Sequence, residues 1–225
     1  ATGRFSEDAQ RLLLLRKQII HKARAKKELL NVIIGELEQI KNDKIKYTFV
    51  YVPEGVETDY SGMDEYLGTD EDVNLINSYA DILINQGYKT YKFIGALKDR
   101  ERVLYNFKNG SLDILLAMKC LDEGVDVPAT RTAFFLASSS NPREFIQRRG
   151  RVLRKHPGKE FSTVYDLIAI PPERVSKDSS LFNTERSIVR KELHRFKEFA
   201  SVALNKHQAT DVIWELATYY GLMDF

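Results

Sequence analysis

Short apolar runs alternate with helix-patterned segments from residue 47 to residue 167, and this alternation constrains the chain more than any other feature. Residues 47–52 mix aromatic and β-branched side chains and stop at Pro53, which reads as a strand. Val73, Ile76, Tyr79, Ala80 and Leu83 then recur at helical spacing, with Thr69 or Asp70 as the expected cap and Gly87 as the expected stop. A strand at 90–94, a turn at Gly95, a helix over 99–107 and strands at 114–117, 132–136 and 162–167 continue the order. Strands separated by helices require right-handed crossovers, hence a parallel sheet covered on both faces. The expected fold class is α/β.

The segment between the last two strands is dense in chemistry. Asn141 and Pro142 are suited to the N-cap and first position of a helix, and Q-R-R-G-R-V-L-R follows at 147–154. On a helix, Gln147, Gly150, Arg151 and Arg154 fall at i, i+3, i+4 and i+7 and share one face. Phe145, Ile146, Val152 and Leu153 are left for packing. A helical glycine costs about 1 kcal/mol against alanine, so Gly150 suggests that something approaches the backbone closely. Arginine presents a planar fork of donors that matches phosphate oxygens in pairs. A solvated basic helix would show the same arginines. Upstream, D-I-L-L-A-M-K-C-L-D-E-G-V-D-V-P at 113–128 reads as a buried strand that runs into a polar, glycine-containing loop.

These two segments resemble motifs VI and V of superfamily 2 helicases and translocases and stand in that family's order. Residues 47–52 resemble motif IV. The resemblance covers residues 46–170 and implies the second RecA-like domain of a motor, with helical extensions at 1–45 and 171–225. It implies that Arg151 and Arg154 act as arginine fingers on the ATP γ-phosphate, where a fixed guanidinium stabilises the charge that spreads over the transferring phosphoryl. It implies that Gly124, Asp126 and Gln147 bind the nucleotide, and that Gly95, Met118 and Lys119 lie on the nucleic-acid side. Met118 and Lys119 depart from the Thr-Asp common in the family, since methionine cannot hydrogen-bond a phosphate while a lysine nearby can supply charge. The text L-D-E-G-V-D-V-P and S-S-N-P-R-E-F-I-Q-R-R-G-R-V-L-R looks closest to the restriction-enzyme and DNA-repair branch, including type I and type III restriction subunits.

Composition sets the outer limits. The chain has 225 residues, enough for a full core, and a net charge of +2, too small to argue for nucleic acid by itself. One cysteine, Cys120, excludes an internal disulfide, and with four histidines it assembles no zinc site, which favours a reducing, cytoplasmic setting. The apolar run 12–15 is far too short to span a bilayer. Charge is unevenly spread: Arg11, Arg16, Lys17, Lys22, Arg24, Lys26 and Lys27 form a basic stretch that suits a phosphate backbone or a solvated face, while 54–72 is an acidic loop. Aromatic residues Trp214, Tyr219 and Tyr220 at helical spacing read as core.

No G-x-x-x-x-G-K-[ST] loop occurs, and neither Asp64-Glu65 nor Asp122-Glu123 follows a strand in a way that would hold magnesium. The expectation is therefore a fragment that binds no cofactor alone, from a longer protein that uses ATP and Mg2+. Its expected partners are DNA, a missing N-terminal RecA-like domain and, for the restriction branch, restriction or methylation subunits, with no membrane. Two other readings stay open: an RNA helicase domain, and a non-catalytic nucleic-acid-binding or scaffold module that keeps the fold.

Overall fold

A computed structural model describes residues 23–53, 75–93, 99–118, 127, 129–137, 142–171 and 173–223, the side chains of 142–145 apart. The elements run α1 (Ala25–Lys41), β1 (Thr48–Tyr51), α2 (Leu75–Asn85), β2 (Thr90–Phe93), α3 (Arg100–Lys108), β3 (Ile114–Ala117), β4 (Thr132–Phe135), α4 (Pro142–Val152), β5 (Thr163–Asp166), α5 (Phe182–Ala200) and α6 (Lys206–Tyr219). All the strand segments expected from sequence are present. They form one five-stranded parallel sheet in the order β2-β3-β1-β4-β5, with Thr48 aligned to Ile114 on one side and to Thr132 on the other.

Alternation along the strands builds two cores. Val50, Val52, Ile114, Leu116, Phe134 and Leu136 point to one face, where α1 supplies Leu30 and Ile34 and α2 supplies Ile76, Tyr79 and Leu83. Phe49, Tyr51, Leu115, Ala117, Ala133 and Phe135 point to the other, against Val103 and Phe107 of α3, Val152 of α4 and Phe199 of α5. Helices thus cover both faces, as the pattern required. Gly87 ends the packing of α2 at φ +78, a conformation that L side chains rarely adopt. A third cluster, Val189, Leu193, Ile213, Leu216, Ala217 and Tyr220, joins α5 to α6.

Buried ions tie α1 and α5 to the sheet. Arg195 of α5 lies 3.0 Å from Asp166 Oδ1, an ion-pair contact, while its Nε donates to Oδ2 at 3.2 Å. It also pairs with Glu192 at 3.3 Å, and Glu192 in turn accepts from the Ala169 N–H. Lys26 of α1 donates to the Leu136 carbonyl just past β4, at 2.9 Å. Burial raises the pKa of Asp166, Arg195 opposing, and Asp166 and Glu192 outweigh burial to raise that of Arg195.

Lys26 therefore departs from the basic surface stretch in which the sequence placed it, being only 3% exposed. Its helix position points at the sheet, and the carbonyl partner offsets part of the cost of burial. Of the aromatic trio, Tyr220 is buried and Tyr219 packs beside it, but Trp214 is 55% exposed. Among the described residues no helix is long and apolar enough to cross a membrane.

Candidate nucleotide-facing site

Helix α4 begins at Pro142, as its sequence predicts, and ends at Val152, so Arg154 stands past the last turn. Gln147 and Gly150 are exposed and Arg151 is half-buried, which makes their face of the helix the open one, and Arg154, expected on that face, is exposed just beyond the helix end. The opposite side is not apolar in the expected way. Val152 is buried, but Ile146 and Leu153 are 39% and 45% exposed.

Arg148 and Arg149 take the inward positions. Arg148 is 5% exposed, with its guanidinium carbon 5.8 Å from the centre of the Tyr51 ring, and the Tyr51 hydroxyl donates to its carbonyl at 3.5 Å. Tyr51 itself stacks on Phe135 with ring centres 4.6 Å apart. Arg149 donates to the Glu198 carbonyl at the end of α5, and its guanidinium lies 5.9 Å from the Phe199 ring centre. An arginine plane over an aromatic face keeps its charge stabilised while its stem fills space. The arginine run therefore divides, one pair mounting the helix and the other facing outward.

The end of α4 is closed by side chains. Lys159 donates to the Val152 carbonyl at 2.5 Å and to the Arg154 carbonyl at 3.0 Å, and Ser162 Oγ donates to Val152 at 2.9 Å. Burial lowers the pKa of Lys159, with Arg131 adding to the fall. Nothing in the composition pointed to Lys159, although a lysine seven residues beyond a helix end can reach back once an intervening Pro-Gly reverses the chain. Beside this end lies an open cleft of about 670 Å³, lined by Arg154, Lys155, Phe161, Val164, Phe199 and Leu204 among others.

An added Cβ at Gly150 would meet nothing within 4 Å, so no part of the described chain is the close neighbour that the glycine suggested. Met118, just beyond β3, is half-buried and packs against the core on the α1 and α2 face. The candidate residues Gly95, Lys119, Gly124 and Asp126 lie outside the described residues, as do the Asn141 and Thr69/Asp70 caps and the acidic stretch 54–72. Among the described residues, no group of His, Cys, Asp and Glu could hold a metal ion.

Fold and helix geometry define an α/β parallel-sheet domain with an arginine-bearing helix after its fourth strand. Residues 66–156 match the model of the helicase conserved C-terminal domain. A stretch of 68 residues is 40% identical to the DNA 3'-5' translocase XPB2 of Sulfurisphaera tokodaii, covering 30% of this chain and 14% of that protein. Another of 156 residues is 27% identical to the ATP-dependent RNA helicase CshA of Limosilactobacillus reuteri, covering 58% of this chain and 31% of that one. The C-terminal domain of the DEAD-box protein Dbp5 superposes with a TM-score of 0.49 at 16% identity, over 82% of this chain and 83% of that domain. The chain spans 14% and 4% of the length of the first two curated relatives it matches.

Proposed function

We propose that this chain is the second motor domain of an ATP-dependent DNA helicase or translocase, working against a domain that carries the Walker loop. The observation that carries the reading is the sorting of the arginines: Gln147, Gly150 and Arg151 lie on the outward face of α4 and Arg154 is exposed just past its end, while Arg148 and Arg149 fix the helix from behind. Guanidinium groups on an otherwise anchored helix suit a γ-phosphate, because their donors need little reorganisation as charge develops. Arg151 and Arg154 are the proposed fingers. Gln147, with Gly124 and Asp126, is proposed to orient the nucleotide, and Gly95, Met118 and Lys119 are proposed to contact the nucleic acid. ATP supplies the phosphoryl group, and the other domain holds Mg2+. Closing on ATP and reopening after hydrolysis moves the strand.

DNA is favoured by the 40% identity to the translocase segment, and the restriction and repair branch is the narrower reading on motif text. RNA is the second reading, favoured by the longer match to the RNA helicase. The test is nucleic-acid-stimulated ATP hydrolysis by the assembled motor, comparing Arg151→Ala and Arg154→Ala on DNA and on RNA. Each substitution is expected to lower kcat by about 100-fold or more with ATP binding retained. Unchanged turnover in both variants would remove the finger assignment, and stimulation by RNA alone would reverse the choice of track.

A further inference from the structure

Lysine is not needed to end a helix. Many helices close their last carbonyls with a left-handed residue instead, and here Ser162 already donates to the Val152 carbonyl. Ordering a lysine side chain costs up to about 2 kcal/mol of rotamer entropy. Here the ordered ammonium also stands close enough to Arg131 for that charge to disfavour it. What Lys159 adds is its second bond, to the carbonyl of Arg154, a residue outside the helix.

The local chain is built to deliver it. His156 and Lys159 form an antiparallel bridge, the Lys159 N–H donates to the His156 carbonyl at 3.0 Å, and Gly158 turns the chain at φ +73. Arg131, at the start of β4, donates to the Gly158 carbonyl at 3.3 Å and stacks over Tyr47. The turn is thereby referenced to the sheet, and the ammonium is referenced to the turn.

We propose that Lys159 is a positioning residue for Arg154: by bridging the Val152 and Arg154 carbonyls it fixes the backbone from which the Arg154 guanidinium reaches the nucleotide. This rests on the arginine-finger reading. Lys159 touches no reacting atom and acts only through Arg154. Misplacement of a reacting or stabilising group by about 1 Å costs up to about 100-fold in rate, so a loosened loop is expected to show in kcat while leaving ATP affinity nearly intact.

The experiment is a double-mutant cycle in ATP hydrolysis by the assembled motor, with Lys159→Met, Arg154→Ala and the pair, at a temperature where all variants are folded. Lys159→Met is expected to lower kcat about tenfold with KM for ATP unchanged, and Lys159→Arg to restore most of it. In the Arg154→Ala background, Lys159→Met is expected to have no further effect, because its route is already gone. Ser162→Ala, which removes only the Val152 bond, is expected to lower stability and spare kcat. Unchanged kcat in Lys159→Met, or multiplied losses in the pair, would overturn the positioning role and leave the fingers standing. If Arg154→Ala alone keeps full turnover, the finger role of Arg154 fails and takes this inference with it. Should Lys159→Met not fold, Lys159→Gln, which can hold one carbonyl, carries the same cycle to the same outcomes.

Discussion

Replacing Gly150 with alanine separates stability from function in a way few substitutions do. Gly150 sits in the last turns of α4 without a positive φ, and a methyl there meets nothing within 4 Å, so neither strain nor a clash offsets the gain in helix propensity. That gain is about 1 kcal/mol mid-helix, and about 0.5 kcal/mol this near a fraying end, for a rise in Tm of about 1–2 °C. If the glycine exists so that nucleotide or the facing domain can approach the backbone, the same methyl obstructs closure, and nucleic-acid-stimulated ATP turnover falls about tenfold or more. Gly35, in the middle of α1 with the same open surroundings, is the control. Gly35→Ala is expected to stabilise by about 1 kcal/mol and leave turnover alone. Thermal and urea unfolding of the chain supply one axis, and ATP hydrolysis by the assembled motor the other. Stabilisation with full turnover in Gly150→Ala would refute the close-approach reasoning and make Gly150 a helix defect without a use.

Two further outcomes concern the buried ions. Arg195→Met leaves Asp166 and Glu192 without their shared guanidinium and is expected to cost about 3–5 kcal/mol in urea unfolding, whereas a loss under about 1 kcal/mol would mean that the carboxylates find other compensation. For Lys26, burial is the largest cause holding its pKa at about 8 against 10.5, with Glu192 and Asp166 pulling upward and Arg195 downward. Between those values the unfolded chain binds the extra proton, so stability rises with pH from about 8, by up to about 3 kcal/mol. Tyr88 and Tyr220, whose pKa values burial raises above 10.0, oppose the rise once unfolded tyrosines ionise. Lys159, whose pKa burial also lowers, adds a rise of the same sign, so the Lys26 share is the part of the rise between pH 8 and 10 that Lys26→Met removes. Lys26→Met is expected to reduce the rise there, and a rise of unchanged size would show that other groups carry it.

The sheet was legible because each strand is a short apolar run with turn residues around it, and the helices between them left only a parallel arrangement. The outward face of α4 was legible for the same reason, since spacing alone groups Gln147, Gly150 and Arg151, although the helix stops short of Arg154. Its inward face was misread because periodicity sorts by polarity, and an arginine can pack. Arg149 stands opposite the Gln147 and Gly150 side on a helical wheel, and that spacing was a signal that one arginine must turn inward. What could not be read was which rings would receive the inward arginines, because Tyr51 and Arg148 are 97 residues apart and Arg149 meets Phe199 of α5. Lys26 shows the same limit. Its partner carbonyl lies 110 residues away, and only the crossover topology brings the N-terminal helix to the end of β4.

The same topology bears on how such a helix could serve a motor. Arg149 links α4 to the end of α5, Arg148 links it to β1 through Tyr51, and Lys159 and Ser162 close its last turn against the entry to β5. Each tether comes from a different element, so rotation of α4 would break contacts to the sheet and to α5 together. A finger on a mobile loop would have to be ordered at each turnover, with an entropy cost of about 1–2 kcal/mol per backbone residue. On the proposed reading, mounting Arg151 on the anchored helix, with Arg154 just beyond its end, places that cost in folding instead of in the catalytic cycle. Domain closure then needs only to bring two surfaces together, with α5 holding α4 in place through Glu198 and Phe199.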